Sequence, residues 1–386
     1  MAGKSIGGVG AGQPRKQKAT LLNPRAMVFK AERFTRSDIE FIAAGLEPRL
    51  AKAIFAALTA QAESLDLDAI AAALQAGDIS RVLAMLDLSP SVAALEAATP
   101  VLQSAVYAGG VAAATAINAR VTGAQFVFNQ LNPRLLTWLQ TYNLGLIRQI
   151  NQGTKDGIRQ YLLTGMEAGK NPKAVAKEIK GIVGLTERQA QAVKNYRKEL
   201  ETFHLRRSAA GYGLGNKVDR VNGTQVLRTG PDGQPLDGIN QRRLRDYRFD
   251  GQLDRAMTNT KPLTPEQIDK MVAAYERKYR AYRARTIART EAIRTTNIGV
   301  QDGWQQAIEK GTVNENLTRK RWIVASDERL CETCGPIPSM NPKTGVKHGQ
   351  AFQTPKGPQN LPPMHPNCRC TVFYRLYEPS QLKGEN

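Results

Sequence analysis

Four cysteines and one histidine near the C-terminal end of the chain could bind a metal ion. Cys331 and Cys334 form a C-x2-C pair, which can place two thiolates on one ion. His365, Cys368 and Cys370 follow some thirty residues later and could complete a tetrahedral site. Thiolate and imidazole ligands favour zinc over a harder ion. Five candidates compete for four positions. Steric strain in the C-x-C pair predicts that one of the last three is not a ligand, and the sequence does not say which.

The chemistry expected of this cluster is structural. A catalytic zinc ion needs an open coordination position and a nearby base. His348 and Glu332 are close in sequence, but the chain has no H-E-x-x-H, H-x-E or Asp-His pairing around them. We therefore expect one structural zinc ion and no catalytic residues. Three alternatives stay open at this point: a redox pair at Cys331 and Cys334, four unrelated buried cysteines, and disulfides formed later in an extracellular particle.

The elements that must position the cluster are two strands and a long helix. Residues 321–324 and 371–374 are rich in β-branched and aromatic residues, which predicts a strand on each side of the cysteines. The preceding helix is expected from Pro265 to about Lys310, with a capping box of Thr264 and Gln267 at its start. Gly299 or Gly303 could bend it.

The rest of the chain predicts a mainly α protein with a small α+β C-terminal module stapled by zinc. In the Ala-rich part, Gly45 and Pro48 are expected to split one helix, Gly77 to separate two short helices, and Gly109 with Gly110 to interrupt another. The expected divisions are a basic flexible arm (1–35), an Ala-rich helical domain (36–120), a helical middle region (121–260) with a Gly-rich basic loop (211–258), a C-terminal domain (261–377) and a tail (378–386).

The charge predicts a polyanionic partner. The 386-residue chain has a formal net charge of +20, and a field of this sign attracts nucleic acid at any sequence. The candidate contacts with nucleic acid lie in two clusters: Arg242, Arg243, Arg245, Arg277, Lys278 and Arg280. Three tyrosines interleaved with the second cluster, at 275, 279 and 282, lie on one side of the helix, where we favour packing over base stacking. No apolar run of about 18–20 residues and no secretory signal are visible, so no membrane role is expected.

A set of motif residues in the last third of the chain resembles the phage Mu F-like minor head proteins, also called head morphogenesis or minor capsid proteins of tailed bacteriophages. The residues that carry the resemblance are Arg289-Thr290-Glu291, Asn297, Trp304, Trp322, Asp327, Cys331-x-x-Cys334-Gly335, Phe352 and Pro362-Pro363-x-His365-Pro366-x-Cys368-Arg369-Cys370. The resemblance is most specific over residues 284–377.

The resemblance implies a structural component of the virion, at the portal vertex or capsid interior, assembled in the host bacterial cytoplasm. The implied partners are the portal protein, the major capsid protein, or both, together with packaged double-stranded DNA bound without sequence preference. Two other functions stay open: a zinc-assisted nuclease using His365, and a DNA-binding protein that acts in head maturation, in DNA delivery or as a free-standing regulator.

Four motif residues on the long helix predict a packing role. Arg289 and Glu291 differ by about 200° around an ideal helix and cannot share a face. Glu291 and Arg294 are three apart and can pair, and Asn297 extends that line. Our hypothesis is that this line faces the zinc-bearing segment, with Glu291 bonding a loop amide or Arg369. The alternative is a surface ion pair of less than about 1 kcal/mol.

Overall fold

The computed structural model describes residues 36–85, 96–167, 171–205, 220–221, 224–225, 244–325 and 330–382. The expected arm at 1–35 and most of the Gly-rich loop at 211–258 lie outside these residues. The helices are α1 (Arg36–Glu63), α2 (Leu67–Gln75), α3 (Ile79–Ala84), α4 (Thr99–Asn118), α5 (Pro133–Glu167), α6 (Pro172–Ile182), α7 (Glu187–Glu201), α8 (Asp250–Thr258) and α9 (Pro265–Glu309). The strands are β1 (Arg220–Val221), β2 (Thr224–Gln225), β3 (Thr318–Ile323), β4 (Val346–Lys347) and β5 (Thr371–Leu376).

The predicted fold class is confirmed: the described protein is mainly helical, with a small sheet near its C-terminal end. β3 is central and pairs antiparallel with both β4 and β5, and Trp322 stands opposite Val372. Both predicted strands are present, and each is longer than expected. The two-residue β4 was not predicted, because it is too short to show a pattern of alternation.

Helix α9 is the scaffold on which the rest is assembled. Its predicted capping box is present, since the Gln267 N–H donates to Thr264 Oγ1 and the Thr264 N–H donates to Gln267 Oε1. Its first turns pack in one hydrophobic core with α2, α3 and α5–α8. From Ala284 onward it packs in a second core with α1, α4 and the sheet. One helix of 45 residues therefore contributes to both cores.

The prediction that α1 breaks near Pro48 is wrong. The helix is continuous through this residue. Proline removes one backbone hydrogen bond at a cost of about 3 kcal/mol. The flanking side chains of Leu46 and Leu50 are fully buried in the core, and this burial outweighs the local cost.

The prediction that Gly109 and Gly110 interrupt α4 is also wrong, because these glycines serve a close helix crossing. A Cβ atom at Gly109 would lie 2.2 Å from the carbonyl oxygen of Thr296 on α9, and one at Gly299 would lie 2.0 Å from that of Val106 on α4. The two backbones therefore approach until only glycine fits on either side.

The close crossing of α4 and α9 can be tested by substituting one of its glycines. Gly299→Ala should lower the free energy of unfolding by about 2–3 kcal/mol, because the new methyl group must displace the backbone of α4. Denaturant unfolding measures the change. Gly251→Ala in α8 is the matched control, since no atom lies within 4 Å of its new Cβ, and it should be neutral or slightly stabilising. Equal effects of the two changes would contradict the close crossing.

By length and composition alone, α4 could cross a membrane, contrary to our expectation that no run is long enough. It is the one such helix in the described part of the chain, and 67% of its most apolar stretch is buried inside the protein. This burial against α1 and α9 is typical of a core helix.

Candidate metal centre

Two turns bring the five candidate ligands together. After β3, the backbone N–H groups of Cys334 and Gly335 both donate to the carbonyl oxygen of Cys331, which closes a tight turn. Before β5, the Cys368 N–H donates to the carbonyl oxygen of His365 and closes a second turn. Because β3 and β5 are neighbours in the sheet, the two turns face each other.

The ligand atoms form two adjoining groups. His365 Nε2 lies 3.1 Å from Cys331 Sγ and 3.2 Å from Cys334 Sγ, and Cys334 Sγ lies 3.7 Å from Cys368 Sγ. Two groups of donor atoms, each within 4.8 Å, share Cys334: one adds Cys331 and His365, the other Cys368 and Cys370. Thiolates about 2.3 Å from a tetrahedral zinc ion lie about 3.8 Å apart, so the donor set and spacing fit a metal ion.

His365 is oriented for coordination through Nε2. Its Nδ1 lies 2.9 Å from the carbonyl oxygen of Pro366. A carbonyl can only accept, so Nδ1 carries the proton and Nε2 presents its lone pair to the cysteines. This arrangement is the usual way in which a neighbouring acceptor fixes the tautomer of a metal-binding histidine.

Hydrogen bonds prepare two of the thiols for ionisation. The Cys370 thiol and backbone N–H donate to Cys368 and lower the pKa of the Cys368 thiol to about 5. At Cys331, burial acts to raise the pKa, but the Cys334 N–H at 3.3 Å and His365 outweigh it, and the net shift is downward. The contact with Cys368 raises the pKa of the Cys370 thiol.

Two side chains of α9 hold the segment that carries His365, Cys368 and Cys370. Asn297 is fully buried, and its amide donates to the carbonyl oxygen of Pro362 and accepts from the N–H of Val372. The hydroxyl of Thr290 accepts from the N–H of Asn367. The helix therefore fixes the ligand-bearing segment before, between and after its ligands. Thr290 belongs to the Arg289-Thr290-Glu291 motif, but no packing role was predicted for it, since a threonine in a helix carries no signal of its own.

The hypothesis that Glu291 bonds a loop amide or Arg369 requires correction. The carboxylate of Glu291 is buried and accepts a hydrogen bond from the hydroxyl of Tyr142 on α5, and Arg294 Nε lies 3.4 Å from it. Burial raises the pKa of Glu291 to about 7. Thr290 and Asn297 make the loop contacts instead. Tyr142 is far away in the sequence, so no local pattern could identify it.

Arg289 lies on a different side of α9 from Glu291, as the helix geometry requires. Its guanidinium pairs with the carboxylate of Glu47 on α1, with N–O distances of 3.0 and 3.3 Å. The side chain is half-exposed. This ion pair joins α1 and α9, and neither of its two residues is a candidate metal ligand.

The candidate nucleic-acid residues have different surroundings. Arg242 and Arg243 lie outside the described residues. Arg245 is buried and pairs with Asp250 at 3.1 Å, and Lys278 donates to the carbonyl oxygen of Arg245. Arg280 donates to three carbonyl oxygens at the end of α6, and Arg277 is exposed. Three of the four described cations are therefore engaged within the protein.

The three tyrosines of α9 at 275, 279 and 282 differ in burial. Tyr275 is fully buried and packs edge-on against Tyr279 and at a tilt against Tyr196, with ring centroids 4.8 and 4.5 Å apart. Tyr282 is exposed. The structure thus places the first two tyrosines in a helix interface, which is the packing role that we favoured.

His348 is not part of the cluster. Its ring is buried, its Nε2 lies 2.6 Å from Gln305 Oε1, and burial lowers its pKa to about 4. Neither group of donor atoms at the cysteine site includes it. Glu332 is exposed.

Residues 255–373 match the family model of phage Mu protein F like proteins. This part of the chain is a Mu F-like segment. It contains the end of α8 from Arg255, all of α9, all five candidate ligands and the start of β5. The matched residues are less than half of the chain, and the likeness to this family concerns that segment. No curated protein and no solved structure matches the chain.

Proposed function

We propose that this protein is a minor head protein of a tailed bacteriophage, a structural part of the virion at the portal vertex or capsid interior. The observation that carries the proposal is the Mu F-like segment, in which α9 and the sheet are built around a cluster of metal ligands rather than an open catalytic site. Portal and major capsid proteins are the proposed partners during assembly in the host cytoplasm.

The metal is proposed to be one structural zinc ion held by Cys331, Cys334, His365 and Cys368. Three contacts link these four donors in a chain, at 3.1, 3.2 and 3.7 Å. The last distance matches two thiolates on one ion. The ion would cross-link the turn after β3 to the turn before β5, and Cys370 would remain a neighbouring thiol.

Two cysteine variants test the ligand set. Cys368→Ser should weaken zinc binding by at least about 100-fold, because a thiolate ligand is lost. Cys370→Ser should leave one ion bound with nearly unchanged affinity. Cobalt substitution checks the donor set, since three thiolates and one imidazole give a different absorption spectrum from four thiolates. The opposite ranking of the two variants would place Cys370 in the site instead.

Contact with packaged double-stranded DNA is proposed to be weak and independent of sequence. The net charge of +20 supports it, as does the exposure of Arg277. Binding that falls steeply with salt and shows no preference among duplexes would agree with this role. A strong preference for one sequence would favour a regulator.

Complementation tests the head role. A phage that lacks this gene should regain normal heads when the wild-type chain is supplied, and purified particles should contain it. The double variant Cys331→Ser, Cys334→Ser should fail to enter particles. Its recovery in infectious heads at the wild-type amount would contradict a structural metal site.

A further inference from the structure

A cleft of about 350 Å³ lies beside the metal centre, where α5, the start of α7, α9 and the His365 turn meet. Its lining includes three motif residues of α9, Thr290, Glu291 and Arg294, together with His365. Thr290 and Glu291 are themselves buried, yet with Arg294 they border a space that is large enough for a side chain of another molecule.

The cleft contains a buried donor that is incompletely satisfied. Arg294 Nε is buried, and no acceptor lies in good hydrogen-bond geometry to it. Its one ionic contact is the 3.4 Å approach to Glu291. A buried donor with only this long contact is incompletely satisfied, so a ligand that supplies an acceptor here would bind favourably.

The balance of charge around Arg294 favours an anion. Arg283, in the same wall, is buried and donates to the carbonyl oxygen of Ile150 and to the hydroxyl of Thr154. Glu291 is the opposing charge, and burial raises its pKa to about 7. The other ionisable groups in the lining or in contact with Glu291 are Tyr142 from α5, Tyr282 from α9 and His365 from the turn. Two guanidiniums and one carboxyl group, whose pKa is raised by burial, therefore line the cleft.

The walls distinguish a side-chain carboxylate from a nucleic-acid phosphate. Ile150, Ile287 and Met364 line the cleft and suit the methylene groups of a glutamate. The Arg294 side chain is only 34% exposed, so the convex backbone of a DNA duplex cannot easily reach it. A chain of net charge +20 is also complementary to an acidic protein surface.

We propose that this cleft binds a glutamate or aspartate side chain from an acidic segment of a partner protein, with Arg294 as the contact for the carboxylate. Arg294 can offer two parallel N–H donors, the geometry that carboxylates prefer. The inference goes beyond the head role. It requires only that the His365 turn is folded, so the metal-loaded full chain is the protein to test.

Fluorescein-labelled hexaglutamate is the probe, and fluorescence anisotropy measures its binding. Arg294→Met should weaken binding by at least about tenfold. Arg285→Met is the matched control, since Arg285 is an exposed arginine of the same helix, and it should change binding by less than about twofold. Equal losses in the two variants would show attraction to the general surface and would overturn the proposal.

Glu291→Gln gives a second, independent test. The glutamine keeps an acceptor for Tyr142 but removes the negative charge beside Arg294. It should bind the peptide more tightly than the wild type and without the rise in affinity expected of the wild type between about pH 8 and about pH 6. Unchanged affinity in Glu291→Gln would contradict the proposed site.

Two further measurements complete the design. The melting temperature of Arg294→Met shows that it folds, and Glu291→Gln provides the test if it does not. Duplex DNA is the competing ligand. If Arg294→Met weakens DNA binding tenfold but leaves hexaglutamate binding unchanged, the cleft is a phosphate site and the proposal is wrong. Metal content is measured on every sample, so loss of the zinc site is distinguished from loss of the cleft.

Discussion

Removing the metal from the purified protein is expected to lower its melting temperature by about 10 °C or more and to open residues 330–370 to protease. This segment contains only the two-residue β4 as regular strand. Its fully buried apolar side chains are few, notably Ile337 and Phe352. A segment with so little core depends on its cross-link, and structural zinc commonly provides most of the folding energy of such modules.

The order of opening is part of this prediction. After chelation in the presence of a reducing agent, hydrogen exchange should first accelerate at the Cys331 turn, whose described contacts with α9 are few. The amides of Asn367 and Val372 should exchange more slowly, because Thr290 and Asn297 still accept from them. The double variant Cys331→Ser, Cys334→Ser is the control, and chelator should not change it further. A metal-free protein with an unaltered melting temperature would contradict a structural ion.

Asn297→Asp is expected to lower the free energy of unfolding by about 4 kcal/mol. The change is nearly isosteric, and it keeps the acceptor for Val372. It replaces the donor to the Pro362 carbonyl with a negative oxygen that faces another oxygen. Because Asn297 is fully buried, the new carboxylate must be protonated or left without solvation. Zinc affinity should also fall by about 10–100-fold, as for other groups that orient metal ligands.

Asn195→Asp is the matched control for this change. Asn195 is exposed on α7, and its Oδ1 accepts from Gln191 in a contact that aspartate can keep. We expect a change of less than about 0.5 kcal/mol. If Asn297→Asp also changed the free energy of unfolding by less than 1 kcal/mol, the two hydrogen bonds of Asn297 would not hold the segment, and α9 would not be its support.

Local sequence was enough to predict the features that depend on neighbours in the chain. The start of α9 follows from a side chain and a backbone group three residues apart, at Thr264 and Gln267. The C-x2-C turn follows in the same way, because its backbone bonds close within the motif. The convergence of both turns required one further inference, that the flanking strands pair.

The features that sequence missed are set by contacts between distant segments. Pro48 and Gly109 are helix breakers in isolation, but burial against α9 decides their structure. The partner of Glu291 is a tyrosine on another helix. Thr290 acts through a single hydroxyl that accepts from a backbone amide. None of these contacts produces a periodic pattern in the sequence. Each can be recognised only from the three-dimensional packing of the helices.

The length of α9 has a mechanical consequence. A straight helix of 45 residues extends about 68 Å, and this one is embedded at one end among α6–α8 and at the other beneath the sheet. A force on either end of α9 is therefore transmitted along one continuous helix to the other end. A load applied where α9 begins would therefore reach the sheet and the cysteine turns through one continuous helix.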